Sequence, residues 1–227
     1  MTLPATSPQA TPASSLVKTL GIVSTVCGLI IVGAYQGTYD AAAANRRLAL
    51  ERTVFKVIPA AKTMAEWQAT ALGIRPAGGE AVAGATRFYA TYDADGALAG
   101  IAVEAGAKGY ADTVRLLYGY APDCRCITGI GVVAMKETPG IGDKIVTDKA
   151  FLANFQALDV KLNAELSALA NEVKAVKHGS KTKGWEIDAI AGATVTSRAV
   201  GKAINDSAQS LLPKLVPEME KLRKKKS

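Results

Sequence analysis

The sequence predicts an α+β protein: one N-terminal transmembrane helix, then a single domain with a mainly antiparallel sheet flanked by helices. Three observations predict it. No charged residue occurs from Thr19 to Tyr39, and about 20 apolar residues suffice to cross a bilayer as a helix. Between Thr86 and Met135, four β-type runs alternate with turn signals such as Asp93-Ala94-Asp95-Gly96. From Thr196 to Leu212 a helical run closes the domain. With 227 residues, 49% of them hydrophobic, the chain can hold one span and one domain with a substantial core.

The elements follow in order. Residues 1–15 are rich in Thr, Pro, Ala and Ser and read as a flexible tail. Residues 16–39 form the anchor, with its most apolar part at Leu20–Gly33. A cleaved signal peptide is the alternative, and Ala41–Ala44 resembles a small-residue cleavage site. Its basic n-region would be weak, with Lys18 alone, and the apolar run exceeds a typical h-region. An uncleaved anchor is the better reading. The domain is placed at 40–212. It begins with a helix over Asp40–Lys56, a short helix over 62–72 and a loop from Gly73 to Gly84. Strands follow at Thr86–Tyr92, Leu98–Glu104, Thr113–Tyr118 and Ile127–Met135. Asp148–Leu158 reads as helix, and the Ala/Leu/Glu/Lys composition of 160–176 favours helix too. Lys183–Ile190 reads as a strand leading into the final helix, Thr196–Leu212. Pro213 then opens a basic tail, 213–227.

Charge and composition exclude several classes. Lys and Arg outnumber Asp and Glu 27 to 20, a net charge of +7. Much of the excess lies in Lys221–Lys226, a terminal run that reads as a solvated tail or a contact for acidic lipid or a neighbouring subunit. With 6% aromatics and no recognisable module, a nucleic-acid partner is not expected. His178 is the only histidine, in a polar segment, which argues against His-based hydrolysis and zinc catalysis. Cys27 sits in the apolar run as a small hydrophobe. Cys124 and Cys126 are separated by Arg125. A disulfide across one residue is strained, and two thiols alone do not complete a metal site.

Two segments carry chemistry. In Asp188–Ser197, Gly192 and Ala193 leave the backbone bare enough for a bulky group to approach. Thr194 offers a hydroxyl where a helix begins, with Thr196 and Ser197 as N-cap types, and a helix start attracts phosphate. On local chemistry alone, a plain strand-to-helix turn with a Thr cap is the commoner explanation. In Glu137-Thr138-Pro139-Gly140-Ile141-Gly142-Asp143-Lys144, Pro139-Gly140 makes a tight turn and Gly142 keeps the backbone accessible. Thr138 or Lys144 can supply donors beside a flat ring system. Alone, this reads as a type II turn. A weaker element, Gly106-Ala107-Lys108-Gly109-Tyr110, precedes a strand; Tyr110 reads either as core or as a neighbour of a ring. Trp185 reads as core or as a shield for the ring.

The first segment resembles the flavinylation motif Asp-x-x-(Ser/Thr)-Gly-Ala-Thr of a family of FMN-binding domains. That family includes the G subunit of the Rnf complex and the C subunit of the sodium-translocating NADH:quinone reductase. Asp188, Gly192, Ala193 and Thr194 match, whereas Ala191 stands where the family has Ser or Thr. The Glu137–Gly142 segment resembles the family's Glu-Thr-Pro-Gly-Leu-Gly, with Ile141 for Leu. The resemblance implies FMN esterified through its phosphate to Thr194, with Glu137, Thr138, Pro139, Gly140, Ile141, Gly142, Asp188, Gly192, Ala193 and Tyr110 at the cofactor. No catalytic acid–base residue and no metal site is implied.

The same resemblance implies an electron-relay subunit of an ion-translocating ferredoxin:NAD oxidoreductase in the bacterial inner membrane. Its partners would be other redox subunits and a separate flavin transferase, with the membrane engaged through one helix. The alternatives are a C-type flavin protein of the quinone reductase, a stand-alone anchored FMN carrier, or a flavin-free assembly subunit, for which Ala191 is the motive. Arg46, Arg47, Arg52 and Lys56 after the anchor would by simple counting hold the domain inside. The resemblance implies the periplasmic side, which is the placement adopted.

Overall fold

The computed structural model describes residues 12–78 and 84–223. Residues 1–11 of the expected tail, 79–83 of the expected loop and 224–227 of the basic tail lie outside the described residues. The chain divides into two compact units, Met1–Leu48 and Ala49–Ser227.

Helix α1 spans Ala13–Val57, so the anchor and the following helical segment are one element. Residues 13–48 are exposed throughout, and the helix is long and apolar enough to cross a membrane. Threonine hydroxyls along it are paired within the helix itself. Thr19, Thr25 and Thr38 donate to the carbonyls of Ser15, Gly21 and Ala34 at 2.9, 2.8 and 2.7 Å. Such back-bonding leaves these donors paired where lipid would meet them.

The second unit is built on a seven-stranded antiparallel sheet. Its strands are β1 Thr63–Thr70, β2 Gly73–Pro76, β3 Thr86–Tyr92, β4 Leu98–Lys108, β5 Thr113–Ala121, β6 Cys126–Ala134 and β7 Leu158–Asp159, in the order β2-β1-β3-β4-β5-β6-β7. Helix α2 is Lys149–Ala153, and β8 Lys174–Val176 pairs in parallel with β9 Glu186–Asp188. Helix α3 runs Thr194–Leu215, followed by a 3-10 helix over Val216–Leu222.

Strand alternation decides what each face buries. Phe88, Ala90 and Tyr92, Ile101 and Val103, and Leu116, Tyr118 and Tyr120 share one core with the apolar side of α3. That side carries Val200, Ala203, Ile204, Ala208, Leu211 and Leu212, each buried, and each large side chain among them contributes about 1.5–3 kcal/mol. On the other face, Tyr89, Ala102 and Leu117 meet Val54, Val57 and Ile58 from the end of α1. Glycines in the sheet make that approach possible. A Cβ on Gly119 would lie 2.8 Å from Val57 Cγ1 and 2.9 Å from Ile58 Cγ1.

Two helical expectations are corrected. Residues 62–72 form β1 and the turn after it, because Thr63–Ala69 pair with Tyr92–Thr86 and Trp67–Thr70 with Pro76–Gly73. Residues 160–176 are irregular and end in β8. Asn163 Oδ1 accepts the Ser167 N–H at 3.0 Å, Leu166 sits at φ 56°, and Leu162 bridges Leu169. Helix α3 supplies competing acceptors: Gln209 takes the Leu169 N–H at 2.9 Å and Asn205 the Val173 N–H at 3.1 Å. The expected helix over Asp148–Leu158 shrinks to α2, capped by Asp148 through Phe151 N–H at 2.9 Å. Pro213 lies inside α3 rather than ending it, and Leu215 and Leu222 beyond it are fully buried.

Candidate functional site

Three backbone segments converge at one end of the sheet: the β4–β5 turn, the loop after β6 and the start of α3. Between them is a cavity of about 450 Å³ lined by Tyr110, Glu137, Thr138, Ile141, Gly142 and the run Gly192–Thr196. That volume is in the range of small-molecule sites.

The loop after β6 is shaped by its Pro-Gly pair. Gly140 has φ 76°, and the Ile141 N–H donates to Thr138 O at 3.2 Å, which makes Thr138–Ile141 a type II turn. The turn brings Thr138, Ile141 and Gly142 to the cavity, whereas Pro139 and Gly140 do not line it.

Glu137 ties the two walls together. Its Oε1 accepts the backbone N–H groups of Ala111 and Asp112 at 3.2 and 3.5 Å, and its Oε2 accepts the Thr196 hydroxyl at 2.7 Å. The carboxylate is closely boxed. A Cβ on Gly142 would lie 2.7 Å from Glu137 Cβ and 3.1 Å from Thr196 Oγ1, and one on Gly109 would lie 2.9 Å from the Asp112 carbonyl. Tyr110, 72% exposed, is a rim residue and not a core one.

At the start of α3, Gly192 takes φ 83°, and a Cβ there would meet nothing within 4 Å. Backbone conformation, more than space, therefore selects glycine. The helix begins at Thr194, with Ala193 as N-cap and no side-chain cap, two residues earlier than expected. The three nearby hydroxyls differ sharply. Ser197 Oγ donates to Ala193 O at 2.9 Å and accepts the Ile190 N–H at 3.1 Å. Thr196 is held by Glu137. Thr194 Oγ1 makes no side-chain hydrogen bond among the described residues, and Thr194 lines the cavity. The first N–H groups of a helix lack intrahelical acceptors and carry its positive dipole end, so this rim suits a phosphate.

Asp188 and Lys144 are placed elsewhere. Both line a neighbouring cavity of about 240 Å³, together with Asp148, Phe151, His178 and Ala191. Asp188 Oδ1 accepts the Gly179 N–H at 2.7 Å, and its Oδ2 lies 3.5 Å from His178 Nδ1. Ala191 is exposed on that side, so its missing hydroxyl is not a gap in the wall beside Thr194. Trp185 is half-buried and does not line the Thr194 cavity.

Sequence reasoning missed two residues, one in the wall of this cavity and one beside Asp188. Thr196 reads from sequence only as a cap. Asn154, buried, bridges Asp188 as a neighbouring strand would: its Oδ1 accepts the Asp188 N–H at 3.0 Å and its Nδ2 donates to Asp188 O at 3.3 Å. Nothing in the spacing of Asn154 signals this. Cys124 and Cys126 are joined by a disulfide with Cα atoms 5.1 Å apart, a separation ordinary for the bond. Among the described residues no group of three or more His, Cys, Asp or Glu side chains is placed to hold a metal.

Residues 109–209 match the model of the FMN-binding domain family. It is 32% identical over 120 residues to the G subunit of an ion-translocating oxidoreductase complex from Methanosarcina acetivorans, covering 53% of this chain and 55% of the relative. It is 38% identical over 110 residues to the corresponding G subunit of Pasteurella multocida (48% and 50%). With the G subunit of the Na(+)-translocating ferredoxin:NAD(+) oxidoreductase complex of Acetobacterium woodii it shares 34% over 116 residues (51% and 50%). The chain thus spans about half the length of these relatives. In fold it is similar to Shewanella oneidensis NqrC, with a TM-score of 0.58 and 19% identity over 79% of this chain and 98% of that one. The C subunit of a Na(+)-translocating NADH-quinone reductase from Parabacteroides distasonis matches at a TM-score of 0.51 and 20% identity, over 73% and 80%. At these identities the solved structures speak to the fold alone.

Proposed function

We propose that the chain is the electron-relay subunit of a membrane-bound, ion-translocating ferredoxin:NAD oxidoreductase, carrying FMN as a phosphoester on Thr194. The observation that carries the reading is the state of the three hydroxyls. Thr196 and Ser197 are buried and engaged, whereas Thr194 lines the cavity with its hydroxyl unengaged among the described residues. A phosphate attached there would meet the open N–H groups of α3 and the bare backbone of Gly192. The cavity fits a ring system with an apolar edge, because Tyr110, Ile141 and Val195 are each about half exposed or more at its rim.

Bound FMN supplies the redox chemistry, since a flavin passes electrons singly or in pairs. The protein's own residues hold and orient it. Glu137 fixes the walls, the Pro139-Gly140 turn presents Thr138 and Ile141, and Gly192 keeps the approach to Thr194 open. A covalent link keeps the group where no flavin pool replenishes it. Attachment is assigned to a separate transferase, other redox subunits are the partners, and α1 is the anchor in the inner membrane. The Cys124–Cys126 disulfide supports a domain on the periplasmic side, since such bonds persist in oxidising compartments.

The test is the intact mass and in-gel flavin fluorescence of wild type, Thr194→Ala and Thr196→Ala, each made with an active transferase. Wild type and Thr196→Ala should gain one FMN less water and Thr194→Ala none. An unmodified wild type would overturn the covalent reading and leave the flavin-free assembly role.

A further inference from the structure

The Cys124–Cys126 disulfide lies in the turn between β5 and β6, at the other end of that hairpin from the cavity. Strand β5 has nine residues, so about 30 Å of strand separates the two. Three features set this bond apart from a structural staple. The loop it closes holds only Arg125 between the two half-cystines, so it removes less chain entropy from the unfolded state than a long loop would. The hairpin is already closed by the pairing of Ala121 with Cys126 and Tyr120 with Ile127. Arg125 is held at φ 52°, a left-handed backbone that a side chain adopts at a cost, and reduction of the bond would free it to relax. Access is also uneven. Cys124 and Arg125 are exposed, while Cys126 is 7% exposed within the β5–β6 pairing.

We infer that Cys124–Cys126 is a redox-active pair that exchanges with an external dithiol, with Cys124 the sulfur attacked and Cys126 the resolving thiol. An incoming thiolate attacks Cys124 Sγ. The Cys124–Cys126 bond breaks, a mixed disulfide forms on Cys124, and Cys126 departs as a thiolate that takes a proton. The second thiol of the reductant then attacks its own mixed-disulfide sulfur, releasing Cys124 as a thiol. Two electrons and two protons pass from the dithiol to the pair, and the dithiol leaves as a disulfide. Exposure and backbone strain mark labile bonds rather than structural ones. The distance from the cavity makes the reductant an outside partner and not the flavin. The inference is independent of the reading of Thr194.

The experiment uses the full chain in detergent, titrated with reduced and oxidised dithiothreitol and trapped by alkylation. The readout is the mass of the peptide holding residues 124–126, with a small secreted protein of buried disulfides in the same tube as standard. The pair should take up two alkyl groups at ratios that leave the standard intact. Reduction should leave the thermal unfolding midpoint almost unchanged. In glutathione disulfide, Cys126→Ser should acquire one glutathione on Cys124, while Cys124→Ser should acquire none at position 126 under native conditions. Reduction only together with the standard, or a large drop in the midpoint on reduction, would overturn the proposal and make the bond a staple. Equal labelling of the two single variants would overturn the assignment of Cys124 as the attacked sulfur.

Discussion

Glu137 is the residue on which the geometry of the cavity depends most. One carboxylate receives two N–H groups from the β4–β5 turn and the Thr196 hydroxyl from α3. Glu137→Ala leaves these three donors without their acceptor and should cost about 1–3 kcal/mol, read as a lower chemical-denaturation midpoint. Thr196→Val removes only the hydroxyl and should cost less. In a double-mutant cycle the two should couple by about 0.5–3 kcal/mol; simple additivity would mean that Glu137 acts on the turn alone. Gly192→Ala tests the neighbouring wall. It meets no atom within 4 Å, yet it must sit at φ 83°, so about 1–2 kcal/mol should be lost with no steric defect. At this scale the sequence was legible wherever backbone chemistry leaves a signature. Pro139-Gly140 and Gly192-Ala193-Thr194 announce a turn and a bare helix start. Thr196 and Asn154 were not legible, because their partners lie 59 and 34 residues away in the chain and no local pattern encodes such pairs. Asp188 and Lys144 show the converse: motif membership does not say which of two adjoining cavities a side chain enters.

The elements that were read correctly are those whose own pattern agrees with their setting. Strands β3 to β6 are bounded by turn signals, and each has at least four buried residues. Strand β1 was misread because Ala65, Glu66, Gln68 and Ala69 are acceptable in a helix, and only pairing with β2 and β3 decides otherwise. The segment 160–176 was misread for a similar reason, its helical composition losing to Asn205 and Gln209 on α3. The seat of the end of α1 on the sheet yields a test at this scale. Gly119 admits Val57 and Ile58 so closely that a Cβ would stand under 3 Å from both. Gly119→Ala should therefore cost about 1–3 kcal/mol through overpacking, and Val57→Ala in the same chain should recover part of it. A loss that Val57→Ala deepens instead would show that the helix end moves freely over the sheet.

For the molecule as a whole, the carboxylates held by hydrogen bonds and ion pairs set how the fold answers acid. Glu218, on the last 3-10 turn, accepts the Ile74 N–H at 2.7 Å and pairs with Lys221 at 3.1 Å; the Ile74 bond, then Lys221, hold its pKa below the usual range. Glu186 is lowered chiefly by the Thr182 N–H, and Asp206 chiefly by Lys202. A carboxyl with a depressed folded pKa stabilises the fold above its unfolded value, about 4. That contribution fades as the pH falls through the folded value. The unfolding midpoint should accordingly be flat from about pH 7 to 5 and fall below about pH 4. Tyr118 sets the opposite limit. Its phenol is fully buried beside Ser207 Oγ at 3.1 Å, and burial raises its pKa. Its contribution is complete below about pH 10, the unfolded value, and is lost as the pH rises towards the folded one. Glu218→Gln separates the acid arm from general acid lability. The variant should unfold at a lower temperature than wild type at pH 7, and the two midpoints should converge as the pH falls below about 4 and through the depressed folded value, where wild-type Glu218 takes up its proton. Equal midpoints at pH 7 would show that the charge of Glu218 is irrelevant and that the shape of its side chain, which Gln shares, holds the β1–β2 hairpin to the last 3-10 turn.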